Sequence, residues 1–492
     1  MKTKIVLVSI ALIVLSFHLN AQDNGYGDYL KNRQKQKNHY RDSVMNNYNE
    51  FRQKANAEYA RFMKDRWEAF GVTKATPVPE LPEPVKPYAI PKEDNDLGKT
   101  KLPLKIITEL PKPQNEPVKP VDRQPVTMPK TPKTEFSFSF YSTPCKVHVE
   151  GGMKIKLGEV TEKNVAEAWE QMSAADNGAL LSDFLTLKQD MNLCDWAYIR
   201  ILKVFSETYY GKRCNEAVLF QTYLLAQSGY SLRMACNDNK LILSMPFDGQ
   251  VYRLRSINID GTRFYMLDVD DNCESLRVFN KSFSDNEHVA SLRMNGMPKL
   301  KNEPSPARTL KSLREPAIEV SLSANKNLMA FFDDYPQHQW KYYAWAGLSD
   351  ETKAQMYPAL RGWIAGAGQV EAANRLINFV QMALDYKTDH QQFGYERTLF
   401  ADESLFYPYC DCEDRAVLFS VLVRDLLGLD VVLLDYPDHI ATAVRFTEPV
   451  DGDYFNVGND RYVICDPTYL GANVGMCMPK LRSVPANILI LY

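Results

Sequence analysis

The sequence predicts an α+β protein: two domains of similar design in tandem, preceded by a helix and a proline-rich linker. Three observations carry this. Fourteen of the 28 prolines fall between Pro77 and Pro132, which separates an N-terminal segment from a globular remainder. From Phe136 onward, helical and strand-like periodicities alternate, and one block occurs twice. Ala217-Val218-Leu219-Phe220 is matched by Ala416-Val417-Leu418-Phe419, and each opens an apolar helical run ending in a glycine 12 residues after the alanine, Gly229 or Gly428.

Composition narrows the function classes. A chain of 492 residues has room for roughly two to three domains. Apolar residues at 45% and charged residues at 24% are ordinary for a soluble protein with a buried core. Lys and Arg number 58 against 61 Asp and Glu, so no basic excess points to nucleic acid or anionic lipid. Nine cysteines are too few for a disulfide scaffold, and their odd number leaves one thiol free unless it pairs between chains.

Residues 1–21 read as a signal peptide. Lys2 and Lys4 precede the apolar run Ile5 to Phe17, and Leu19-Asn20-Ala21 closes it. The run falls short of the roughly 20 residues that cross a bilayer. The expectation is an exported protein, periplasmic or extracellular and of bacterial type, with no transmembrane anchor in the mature chain.

Residues 22–71 carry a helical aromatic stripe. Tyr29, Tyr40, Phe51 and Phe62 recur every 11 residues, as do Tyr48, Tyr59 and Phe70. Eleven residues in three turns lie near the α-helical period, so both series share one face. Such a face packs locally, self-associates, or docks an envelope protein through residues 26–70. Residues 72–135 form the linker, where proline removes backbone donors and favours an extended spacer that could reach roughly 170 Å. A chain beginning near Phe136 is therefore expected to stay folded.

The two domains are placed at 136–305 and 306–492. Eleven residues beyond each capping glycine stand Lys240 and His439, each opening a strand-like run, and Asp268 aligns with Asp466. The helical run Cys194–Tyr210 resembles Val370–Tyr386. Matches in register imply duplication. The second copy has an extra segment between Tyr386 and Cys412, expected to form a cleft wall.

Three residues of the second copy suggest thiol chemistry. Cys412 falls in the first turn of a helix, where the dipole and free N–H groups favour a thiolate. His439, 27 residues on, opens a strand and can hold the thiol's proton; Asp466, a further 27 on, ends a strand at Pro467 and can orient the imidazole. Asp411-Cys412-Glu413-Asp414-Arg415-Ala416, His439 and Asp466-Pro467-Thr468 resemble the transglutaminase-like superfamily, a papain-like group of cysteine enzymes. The resemblance covers about residues 386–470. It departs from the common pattern at Cys410, often glycine, and at Ile440, often aromatic.

The resemblance implies two tandem papain-like, transglutaminase-like domains, with Cys412, His439 and Asp466 catalytic in the second. The first looks degenerate: Lys240 replaces the histidine, and Arg213 stands at the nucleophile position with Cys214 one residue out of place. Glu413 and Asp414 read as acids of a helix's first turn, and Cys410, two residues before the helix start, reads as a lesser candidate nucleophile. Asp268-Val269-Asp270-Asp271-Asn272 opens like a calcium loop, but Cys273 and Phe279 occupy the turn and closing positions. No His-Glu-x-x-His or paired Cys-x-x-Cys motif suggests zinc. The expected function is an exported, cofactor-free amide hydrolase of peptidase or amidase type, acting through a thioester on a peptide or protein substrate. A non-enzymatic envelope binding or assembly module and a cross-linking acyl transferase are the alternatives.

Overall fold

The computed structural model describes residues 53–80, 88–90, 100–103 and 133–491, apart from 176, 270–271, 284–286 and 315. The expected signal peptide, and Tyr29, Tyr40, Tyr48 and Phe51 of the aromatic series, lie outside the described residues. The chain divides into two compact units, 1–62 and 63–492.

Helix α1 covers 53–63. Tyr59 is buried on it, whereas Phe62 is 37% exposed. The helix does not extend to residue 71 as expected. Trp67 turns back to donate its indole N–H to the Met63 carbonyl at 3.1 Å, and Glu68–Gly71 is a strand, β1. Phe70 therefore lies on a strand and packs against a sheet core. A free sheet edge satisfies this backbone, and that tertiary pairing overrides the helical period.

The proline-rich segment also departs from the expected spacer. Thr73 bridges Ser256, Tyr88–Ala89 (β2) runs parallel to Tyr469–Leu470, and Leu102 donates its N–H to the Tyr454 carbonyl at 2.8 Å. Tyr88, Ala89, Lys101 and Leu102 are not proline and keep the N–H a ladder needs. Leu102 is buried in the core with Phe455, Tyr462 and Met478. These stretches are edge pieces of the globular unit.

The first half begins with the hairpin β3 (Lys133–Phe140) and β4 (Thr143–Glu150). Helices α2 (Glu162–Ala174), α3 (Gly178–Asp190), α4 (Asp195–Tyr210) and α5 (Asn215–Gln227) follow. Five strands come next: β5 (Arg233–Asn237), β6 (Lys240–Met245), β7 (Ser256–Ile259), β8 (Thr262–Leu267) and β9 (Ser275–Phe279). They form an antiparallel sheet in the order β1-β9-β5-β6-β8-β7.

The second half also opens with a hairpin, β10 (Arg308–Ser312) and β11 (Ile318–Leu322). Helices α6 (Lys326–Asp333), α7 (Trp340–Ala346), α8 (Asp350–Ile364) and α9 (Gln369–Ala383) come next. The extra segment supplies β12 (Asp385–Tyr386), α10 (Asp389–Gln392), α11 (Ala401–Phe406) and β13 (Tyr409–Cys410). After α12 (Cys412–Leu427) come β14 (Asp430–Tyr436), β15 (His439–Arg445), β16 (Tyr454–Val457), β17 (Asp460–Cys465), β18 (Tyr469–Leu470) and β19 (Asn487–Ile490). The second sheet has the order β16-β17-β15-β14-β19, antiparallel throughout.

With β1 set aside, the two sheets have the same strand order. Each follows a helix closed by a left-handed glycine, Gly229 at φ +89° and Gly428 at φ +65°. Helix α12 buries its apolar residues against β14, β15 and α9. The halves meet through the α6–α7 turn. The Tyr335 hydroxyl donates to the Leu292 carbonyl at 2.9 Å, Arg200 pairs with Asp334 at 2.8 Å, and Val251 bridges His338. No helix among the described residues is long and apolar enough to cross a membrane.

Candidate functional site

The second sheet's edge brings the three candidate residues to one place. Cys412 is the first residue of α12, His439 the first of β15, and Asp466 follows the last residue of β17. Strands β15 and β17 are direct neighbours, paired from Thr442↔Cys465 to Val444↔Val463, which sets His439 beside Asp466. His439 Nε2 lies 2.9 Å from Asp466 Oδ2. Asp466 Oδ1 accepts the backbone N–H groups of Thr468 and Tyr469 at 2.9 and 3.2 Å, fixing the carboxylate. His439 Nδ1 is buried without a partner. The backbone N–H of Ile440, the residue after His439, reaches the Cys412 thiol.

The side chains are sealed: Cys412, His439 and Asp466 are 1, 0 and 1% exposed. The thiol donates to Glu413 Oε2 at 3.2 Å. Burial, then the Glu413 and Asp411 carboxylates, push its pKa well above the ordinary thiol value. The depressed pKa expected at a helix start is thus corrected, because desolvation and two adjacent acids outweigh the dipole's fraction of a charge.

Glu413 and Asp414 are acids of the first turn of α12, as expected. Both are buried, in a cluster with Asp389, Glu396 and Asp411. Asp414 accepts from the Leu399 N–H at 2.8 Å and the Asp411 N–H at 3.3 Å, and Asp411 accepts from the Asp389 N–H at 3.2 Å. Burial and mutual repulsion push the carboxyls of Asp411 and Asp414 well up, Asp389 to about 11 and Glu396 to about 8.

The extra segment expected to wall a cleft is itself core. Leu399, Phe400, Ala401 and Leu405 are buried. Arg397 ties Asp333 to Glu403 at 2.7 and 2.5 Å, and the Leu399 N–H donates to the carboxylate of Asp414 in the first turn of α12. Its apolar run places it over the helix terminus that carries Cys412.

Sequence reasoning missed Gln381 of α9, whose Nε2 donates to the carbonyls of Asp466, Tyr469 and Ala472 at 3.2, 2.8 and 3.1 Å. One amide thereby fixes the turn carrying Asp466. Its only sequence signal is a polar residue beside apolar Ile377 and Val380. Cys410 is buried on β13 with its thiol pushed up to about 11, and Cys465 and Cys477 are buried. All nine cysteines are free thiols.

The equivalent place in the first half is chemically different. Lys240 opens β6 as His439 opens β15, and Asp268 follows β8 as Asp466 follows β17. Arg213 donates to the Asp268 carbonyl at 2.8 Å, and Lys203 pairs with the Asp268 carboxylate. Counted from the shared alanine, α12 starts two residues earlier than α5. Cys412 is therefore inside its helix, whereas Arg213 precedes α5 and Cys214 caps it. Comparison with protein-family models, curated proteins and solved structures returns no match.

Proposed function

We propose that the chain is an exported, cysteine-dependent amide hydrolase of the transglutaminase-like kind, with Cys412, His439 and Asp466 as its triad. The observation that carries the reading is the imidazole. Its Nε2 is held by Asp466, its Nδ1 is left without a partner, and the backbone N–H of the next residue, Ile440, reaches the thiol of the helix-start cysteine. That division of nitrogens is what an acid–base histidine requires.

In the proposed reaction, the Cys412 proton moves to His439 Nδ1 and the sulfur attacks an amide carbonyl. The oxyanion is held in part by the Cys412 backbone N–H. Collapse breaks the C–N bond as Nδ1–H protonates the amine, leaving a thioester. Water then gives its proton to Nδ1 and adds to the acyl carbon; the C–S bond breaks, and a carboxylic acid and the Cys412 thiol are released. The raised thiol pKa and the sealed site mean that a substrate must displace part of the cover and turn the thiol away from Glu413.

We infer tandem duplication from the shared strand order and capping glycines, with the first half having lost the nucleophile–base pair. The sealed triad favours a second reading, a non-enzymatic envelope binding or assembly module on the same scaffold. The deciding experiment incubates the purified chain with peptide and peptidoglycan-derived amides, using Cys412→Ala as control. Cys412-dependent amine release supports the hydrolase. Turnover that persists in Cys412→Ala refutes the triad. Absence of turnover on every amide tested overturns the hydrolase reading and leaves the binding-module reading.

A further inference from the structure

We propose that Asp389, Asp411 and Glu413 hold a divalent, oxygen-seeking cation of the calcium class. One carboxylate oxygen from each lies within 4.8 Å of the others, and all three residues are buried. Oxygens bound at about 2.3–2.6 Å to a single ion stand at most about 5 Å apart, so the three fit one coordination shell. The wholly oxygen donor set favours calcium over zinc or copper.

The second observation is what the cluster leaves unsatisfied. Asp411 Oδ1 and Glu413 Oε1 are sealed from solvent and accept no hydrogen bond. Three of the other four oxygens accept hydrogen bonds: Asp389 Oδ2 from the Arg397 N–H at 2.7 Å, Asp411 Oδ2 from the Asp389 N–H, and Glu413 Oε2 from the Cys412 thiol. Bare carboxylate oxygens in a dry site are costly unless the carboxyls share protons, as the raised pKa values allow, or a cation meets them in place of those protons. Arg397 is engaged with Asp333 and Glu403; Arg415 donates one Nη to the Leu384 carbonyl at 2.7 Å and lies over the Tyr386 ring, its Nε and other Nη buried without a partner. Glu396, whose carboxyl adjoins Glu413, can supply a fourth oxygen.

The site stands apart from the hydrolase reading, because its test measures ion binding without turnover. The full chain is stripped with chelator and titrated with Ca2+ by calorimetry at pH 7.5, and its thermal midpoint is compared in Ca2+ and in EDTA. The expected result is one ion bound per chain and a midpoint raised by at least about 3 °C at saturating Ca2+. Asp389→Asn should weaken binding at least about tenfold; if that variant does not fold, Glu413→Gln carries the same comparison. Absence of binding to the unmutated chain at about 10 mM Ca2+ would mean that the cluster holds protons alone, and the proposal would fail. Unchanged affinity in a folded Asp389→Asn chain would place the ion elsewhere and equally overturn it. Equal affinity for Mg2+ would refute the calcium assignment.

Discussion

His338 shows how strongly one side chain can tie stability to acidity in this molecule. Its ring is enclosed by Tyr335, Tyr342, Tyr343 and Phe400, its Nδ1 meets the Gln339 carbonyl at 3.2 Å, and its Nε2 has no partner. Burial pushes its pKa down to about 3. An unfolded imidazole binds its proton near about 6.5, so between those values the unfolded chain holds the extra proton. This contribution to stability is complete above pH 6.5 or so and declines as pH falls toward 3. His338→Phe should flatten that acid slope in urea midpoints measured from pH 7 to pH 4; an unchanged slope would mean that other groups set it. At the candidate site, Asp466→Ala removes the carboxylate that holds His439 and two backbone N–H groups. A loss of about 2–4 kcal/mol in urea unfolding is expected. Cys412→Ala should stay folded, with a loss near 1 kcal/mol, yet lose any amide hydrolysis. Cys214→Ala should keep that activity, and the reverse ranking would move the active site to the first half.

Among the elements, the short stretches before residue 136 contribute in proportion to what they bury. Leu102 fills a position among Phe455, Tyr462 and Met478, so Leu102→Ala should cost about 2–4 kcal/mol, read from the shift of the urea midpoint. A cost below about 0.5 kcal/mol would return the segment to the role of a spacer. The Thr100 N–H donates to Asp453 Oδ1 at 2.9 Å, and Asp453 also holds the Cys477 N–H at 3.1 Å and Arg482 at 3.2 Å. One buried carboxylate therefore joins the proline-rich segment to the end of the chain. Beside it, Gly452 at φ +137° lies against Gly475, where an added Cβ would meet the Gly475 Cα at 2.2 Å. Gly452→Ala has no flexible side chain to displace and should cost more than Gly428→Ala, whose Cβ would meet open space. Equal losses for the two would show that the loop can yield.

For the whole molecule, the chain from residue 63 onward behaves as one unit, so removing its front exposes surfaces that the globular part uses. A chain beginning at Phe136 lacks β1, β2 and Thr100–Leu102. It leaves the β9 edge and the Leu102 site uncovered. It should unfold at lower urea and self-associate through the bare strand edge, seen as added mass in sizing experiments. If it instead stays monomeric at full stability, the front stretches are ornamental and the sequence-level division at 135/136 stands. The matching strand orders argue that both halves fold by the same local rules, while the α6–α7 turn fastens them through Tyr335, Asp334 and His338.

The amino-acid pattern alone determined the α+β class, the helix running to Gly428, and the strands opened by His439 and closed before Asp466. Each depends on local periodicity and on residues that terminate elements. The same pattern placed the two halves in register, because the repeated block and its closing glycine mark the same helix ahead of each sheet. Tertiary structure decided the rest. Phe70 joined a strand because the β9 edge offered hydrogen bonds that a helix end could not. The proline-rich stretch became part of the fold where Tyr88, Ala89, Lys101 and Leu102 retained donors. Asp389, 22 residues before Asp411, entered the acidic cluster only when the extra segment folded over α12. The thiol's pKa followed the same logic: the helix dipole is legible from sequence, but burial and the direction in which Glu413 turns are set by long-range packing.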